Sequence, residues 1–382
     1  MRILHIAPIS LIHKDEEKHL KIGGLSKSVT SLALGQHLND NQVGVVTTRE
    51  SFNPFSVDIY WKSIGSLSVF ALIKENPLQE IIKNFGKPDL IHAHDIYEIR
   101  QLIILLLAVS KGIKVYMSPR GTLSKVALNY KQIKKKAYLF LIFNYIASRI
   151  EAFVALNEGE KKSIMNFYPR KKIIIISNGV DEQTDFLEQN KYLYDQKINN
   201  QDINICFLGR FEIYIKGLDI LLNSFLEYKN TNKNSKIRLT LIGAHSFKKL
   251  NSKEFINNIK LNLIDPSSLI VKDPLYNLEK LSALASADIF VHSSRTEGMP
   301  NGVLEAMSLQ LPCLISPETN MGPIIENSKC GWVVNNNVKS YLEKFGEIES
   351  MTKESLALKG RNGQLYAKNY LTWKNVSNSE YS

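Results

Sequence analysis

The stretch DIFVHSSRTEGMPNGVLEAMSLQLPCLIS, residues 288–316, constrains the fold more than any other part of the chain. An apolar, β-rich run from Ile289 to Val291 ends in the polar Ser293–Arg295, and a loop, Glu297-Gly298-Met299, follows. Pro300 suits the first turn of a helix, where its missing N–H costs nothing. VLEAMSLQ therefore reads as a helix and CLIS, after Pro312, as a second strand. Strand, loop, helix and strand make the unit of a parallel sheet, in which ligands settle beyond the carboxyl ends of strands. Backbone N–H groups at the start of such a helix favour an anion such as a diphosphate. Glu297 and Glu305 lie one ahead of the helix and one inside it. Two carboxylates beside a phosphate site suit the hydroxyls of a sugar and of a ribose. Taken singly, each reads as a solvated helix carboxylate.

A chain of 382 residues is long for one core, and two domains of ordinary size are expected. The apolar share of 44% and charged share of 22% are those of a globular protein. Cys206, Cys313 and Cys330 form no CxxC pair, so neither a disulfide framework nor a zinc site is implied. The amino terminus, MRILHIAPIS, is too short an apolar core for a signal peptide. The longest apolar run, Leu102 to Val109, is far below the roughly 20 residues of a membrane-spanning helix. A cytoplasmic protein is expected, at most resting on the inner face of a membrane. The net charge of +11 speaks to anionic partners, nucleic acid or membrane surface, and not to fold. No reading helix, aromatic platform or zinc finger supports nucleic acid.

Along the chain, strands and helices alternate, as in open α/β domains. RILHIA reads as a first strand; a polar insert from Ser10 to Ile22, expected to be mobile, leads to Gly23-Gly24 and a helix. A glycine pair in that place lets backbone approach a phosphate closely. KPDLIHAHD reads as a strand ending in His92 and His94, which share one side of it. The pair could ligate a metal, but no third ligand stands near in sequence, and no metal site is predicted. Arg120, at the next strand end, can grip a phosphate or carboxylate in a forked geometry. Residues 122–150 join a lysine-rich, acid-poor stretch to the aromatic AYLFLIFNYIA, which suits an anionic membrane surface as well as a core stripe with a solvated lysine face. Residues 51–75 stay open, as one or two irregular strands. Residues 183–202 are polar and aperiodic and read as a linker. Arg210 and Lys216 flank the loop after the strand INICFLG and could neutralise a diphosphate.

The string TEGMPNGVLEAM resembles the signature of retaining glycosyltransferases of the GT-B fold, family four. The glycine loop, HAHD, SNGVD, the Arg–Lys pair and the closing Trp373 extend that resemblance over nearly the whole chain. It implies two Rossmann-like domains facing across a cleft, with boundaries placed at 1–182 for an acceptor domain, 183–202 for the linker, 203–355 for the nucleotide-sugar domain and 356–382 for a helix returning to the first domain. It implies that Glu297 lies at the donor hexose and Glu305 at the ribose, with Gly298, Met299, Pro300 and Asn301 lining the donor. Arg210 and Lys216 would hold the diphosphate, Gly23 and Gly24 would pack near it, and His94 would face the donor sugar. Relatives carry histidine where Arg120 stands, so Arg120 is a candidate for the acceptor or the leaving diphosphate. The expected reaction moves a sugar from a nucleotide-diphosphate sugar to a glycan or lipid-linked acceptor with retention, in bacterial surface polysaccharide synthesis. No further cofactor is expected: Asp-x-Asp, which holds a divalent ion in transferases of another fold, is absent from the sequence. The departing phosphate would take the acceptor's proton, leaving Glu297 to bind and orient. A nucleotide-sugar epimerase of the same architecture, a silent sugar-nucleotide binder and, from the basic charge, a nucleic-acid binder are the rival readings.

Overall fold

The computed structural model describes residues 1–13, 20–65, 76–129, 132–246 and 251–378. It divides into two compact units, Met1–Gly179 with the chain from Trp373 on, and Val180–Thr372.

The first unit is built on β1 (Arg2–Ala7), a hairpin of β2 (Leu11–His13) and β3 (Leu20–Ile22), β4 (Gln42–Thr47), β5 (Tyr60–Ser63), β6 (Leu90–His94), β7 (Lys114–Ser118), β8 (Ala152–Ala155) and β9 (Lys172–Ile175). Seven of these form one sheet in the order β5-β4-β1-β6-β7-β8-β9, every neighbour parallel. Parallel strands covered on both faces must be apolar throughout, which is why RILHIA and LIHAH read as continuous runs and not as alternating ones. All of β6 and all of β1 after Arg2 are buried. The chain builds outward from β1 to β5, then returns to lay β6 on the other side of β1. That reversal opens a crevice at the carboxyl ends of β1 and β6.

Trp373 belongs to this unit. A Cβ at Gly35 would stand 2.7 Å from its carbonyl oxygen, and one at Gly179 would stand 2.7 Å from its ring. The backbone of Trp373 takes the space Gly35 leaves open and its indole the space Gly179 leaves open, so the short helix Trp373–Ser377 docks on α1 (Gly24–His37).

The second unit carries β10 (Ile203–Leu208), β11 (Ile237–Ile242), β12 (Leu269–Lys272), β13 (Ile289–His292), β14 (Cys313–Ile315) and β15 (Gly331–Val333). They form a parallel sheet in the order β12-β11-β10-β13-β14-β15, with the same reversal, here between β10 and β13. Its three cysteines are free and buried.

Several expected boundaries move. Residues 183–202 are no loose linker: Thr184–Gln189 and Lys191–Asn199 are helices of the second unit. Phe186 is buried, and the Lys197 ammonium reaches the carbonyl oxygen of Ala287 at 2.8 Å. Burial drags that lysine down to about 8, despite the pull of Asp288. The long helix Lys353–Tyr370 also stays in the second unit, with Lys353 held 2.7 Å from the buried Asp288, so 356–372 do not return to the first. Of the ambiguous 51–75, Tyr60–Ser63 is one strand, and 66–75 lie outside the described residues. Residues 14–19 of the Ser10–Ile22 insert, 130–131 within the stretch 122–150, and the last four residues of the returning segment lie outside them too.

Candidate functional site

At the reversal of the second sheet, the loops after β10 and β13 lie against each other. The Arg295 N–H donates to the Ile215 carbonyl at 2.8 Å, and Ser293 Oγ donates to the Lys216 carbonyl at 2.9 Å. The Arg295 guanidinium grips Asp219 through two bonds of 2.7 Å and lies over the Tyr214 ring at 4.3 Å. Gly217, at φ +62°, makes the approach possible, because a Cβ there would stand 1.9 Å from the Ser293 carbonyl oxygen.

That approach sets Lys216 Nζ on Glu297 Oε1 at 2.5 Å, with both side chains 17% exposed. The same oxygen accepts from Ser294 Oγ at 2.9 Å and from His292 Nε2 at 3.1 Å. A carboxylate only accepts, so the partner assigns the His292 proton to Nε2. Burial lowers His292 below its ordinary value even with Glu297 beside it, and the ring is neutral. For Glu297, burial pushes the carboxyl up, but the His292 bond and the Lys216 charge outweigh it and hold the group well below the usual carboxylate range. A carboxylate ionised at every physiological pH accepts hydrogen bonds from hydroxyls; it is no general acid.

Glu305 sits in the helix Asn301–Ser308 and is buried. Both its oxygens are held by Lys280, at 3.0 and 2.9 Å. Lys280, from the helix Asn277–Ala285, is a site residue that the sequence reading misses. Its signal in the sequence is a cation one turn before the buried Leu284, on an otherwise apolar stripe. Gly298 and the buried Met299 lead into that Glu305 helix; Pro300 caps it with φ −74°, one residue ahead of the expected first turn, and Asn301 opens it. Arg210 stands apart from this cluster. Its side chain is 68% exposed and pairs with Glu212 at 3.1 Å, an ion pair of small worth in water.

In the first unit, β1 and β6 pair so that His5 lies beside His92, with His94 two residues on. All three are fully buried. Arg120 Nη2 lies 3.1 Å from His94 Nδ1, His94 Nε2 lies 3.0 Å from His5 Nδ1, and His5 Nε2 lies 2.7 Å from Gln36 Oε1. Arginine can only donate, so His94 accepts at Nδ1 and must donate from Nε2. His5 then accepts at Nδ1 and donates to Gln36. Burial drives His5 down to about 4 and His92 and His94 well below their ordinary values. The result is a neutral relay behind one cation. Arg120, at φ +56°, also donates to Asn178 Oδ1 at 2.8 Å, and the next N–H, of Gly121, donates to the buried Glu160.

His5 is the third imidazole that sequence proximity did not offer. Among the described residues, His5, His92 and His94 bring possible ligand atoms within 4.8 Å of one another. A divalent ion there would have to displace the His5–His94 bond and sit, without a carboxylate, beside a fixed guanidinium in a dry interior. The set fits a relay better than a cation site. His94, expected to face a sugar, is covered, and Arg120 is the half-buried group at that strand end. Gly23 caps α1 and Gly24 opens it; a Cβ at Gly23 would meet nothing within 4 Å, so packing does not demand glycine there.

The model of a family described as "Glycosyltransferase Family 4" matches residues 22–184, and that of "Glycosyl transferases group 1" matches 202–349. An uncharacterized 41.2 kDa protein in the cps region of Klebsiella pneumoniae is 25% identical over 72% of this chain and 71% of its own length. CapM of Staphylococcus aureus, a capsular polysaccharide biosynthesis glycosyltransferase, is 24% identical over 61% of this chain and 62% of its own. Among solved structures, Anabaena HepE in complex with UDP superimposes with a TM-score of 0.70 at 13% identity, over 99% of this chain and 97% of that one.

Proposed function

The chain belongs to the group 1, family 4 glycosyltransferases and has their GT-B fold, and from that premise we propose that it transfers a sugar from a UDP-sugar, with retention, to a glycan or lipid-linked acceptor of a bacterial surface polysaccharide. The observation that carries this reading is the meeting of Lys216 with Glu297 at the sheet reversal, on the loop that leads into the Glu305 helix. In the proposal, Lys216 leaves Glu297 for the donor diphosphate, and Arg210 swings in from solvent beside it. Two cations there stabilise the charge that builds as the glycosidic bond breaks. Glu297, freed of its lysine and still anionic, accepts hydrogen bonds from sugar hydroxyls, and Glu305 does so from the ribose. Gly298, Met299, Pro300 and Asn301 present the helix start to the diphosphate.

On the first unit, the proposal gives anion contact to Gly23 and Gly24, and gives the acceptor to the strand ends of β6 and β7, where Arg120 stands before His94. UDP is preferred because HepE was solved with UDP and with UDP-glucose, and a polysaccharide acceptor because of CapM and the cps-region relative. A lipid-linked acceptor would be met where 122–150 faces an anionic membrane. A thermal-shift screen against UDP-, GDP- and ADP-sugars tests the donor: UDP-sugars should raise the melting temperature most, by binding only the native form. Flat melting curves with all three would reject the reading.

A further inference from the structure

Among the described residues, 122–150 hold the largest run of exposed apolar side chains, and a break in helical geometry produces it. The helix Gln132–Tyr138 passes into a π-helical turn, Leu139–Phe143, and resumes over Asn144–Ala147. Leu139, Phe143, Ile146 and Ala147 are buried and anchor the segment to the core. A π-turn winds more residues into its circle than an α-turn, so more of them must point outward between two anchors. Phe140, Leu141 and Ile142 are exposed in succession, at 74, 72 and 48%. Ile133, at 85%, and Tyr145 are exposed in the same segment.

We propose that this π-turn is a lipid-inserting wedge, with Phe140 and Leu141 entering the acyl boundary of an anionic membrane while Lys134, Lys136 and Arg149 meet its headgroups. The inference rests on the membrane part of the reading above and makes no use of the catalytic assignment. Charge selects the occupant. Residues 122–150 contain no Asp or Glu, Lys134, Lys136 and Arg149 are exposed in the same segment, and the Arg149 guanidinium lies over the Tyr145 ring. A second copy of the chain would have to bring the same cations against themselves, since a twofold interface pairs a patch with its own image. An anionic bilayer offers the opposite charge and an apolar layer beneath it. The cations attract from a distance and are screened by salt, whereas the tip holds by apolar burial and is not.

Sedimentation of the full chain with phosphatidylcholine vesicles, with or without phosphatidylglycerol, tests the wedge. Binding is expected only with the anionic lipid. The double variant Phe140→Ser/Leu141→Ser should lose about tenfold in affinity while melting as the native chain does. Leu141→Trp should add fluorescence that brominated lipid quenches. No binding of the native chain, equal binding to neutral vesicles, full binding by the double serine variant or an unquenched indole in the Leu141→Trp variant would each overturn the proposal. So would self-association that the serine variant abolishes with no vesicle bound. A UDP-sugar melting shift is read in the same preparations, so loss of that shift strikes the catalytic reading and leaves the vesicle result standing.

Discussion

In both units the sheet starts at a central strand, builds outward to one edge, and returns to the other side of that strand, so each offers a crevice at the same point of its sheet. The first unit fills it with three buried neutral imidazoles behind Arg120; the second fills it with interlocked pairs, Lys216 with Glu297 and Lys280 with Glu305. A neutral relay fixes one cation in place, because the protons of His94 and His5 are both assigned, but burial of the three imidazoles makes the native state sensitive to acid. Paired charges hold their place only until a better partner arrives, which suits a site that must take in a diphosphate and release it. Equivalent topology thus carries a fixed relay in one unit and, in the proposed donor site, ion pairs open to exchange in the other.

The largest test of that contrast is Lys216→Ala, expected to cut turnover by about 10²–10³-fold, the scale of one donor to developing charge. Turnover within a few-fold of the parent, with the fold intact by circular dichroism, would move the catalytic role away from the paired-charge half.

Acid should separate the halves next. An imidazole depressed by folding is neutral in the native protein, while the unfolded chain takes a proton below 6.5. Its stabilising effect is complete above pH 6.5 and lost as pH falls toward 4. For His5 alone the loss by pH 5 is about 2 kcal/mol, and His92 and His94 act in the same direction. Opening free energies from hydrogen exchange should therefore fall more in β1 and β6 than in β10 and β11 between pH 7 and pH 5. Equal losses in both sheets would erase the distinction.

The smallest effect is expected at Lys280. If it orients Glu305 for the ribose, Lys280→Met should raise the donor KM about tenfold, roughly 1.4 kcal/mol, with kcat little changed and Lys280→Arg restoring it. A fall in kcat without a change in KM would assign Lys280 a different task.

What the sequence disclosed followed from spacing along the chain. The strand ends, the loop after β13 and the Glu305 helix were readable because apolar runs and a proline punctuate them within a dozen residues. The partners were not: His5 joins the cluster of the first unit, and Lys280 that of the second, through register, β1 beside β6 and one helix beside another, and no local pattern encodes register across such separations. Residues 184–199 escaped because two short helices, anchored by Phe186 and the stem of Lys197, give too few turns for a period to emerge. AYLFLIFNYIA shows its apolar content plainly, but its division into buried and exposed faces depends on a π-turn that shifts the helical phase.

The carbonyl oxygen of Ser293 lies where a methyl group on residue 217 would have to be. In the proposed reading, side chains around this crevice set donor preference, while the backbone track beneath them has no slack. An engineer who lengthens the loop, or puts alanine at 217, pushes two strands' worth of chemistry out of reach of each other before a single new contact is made.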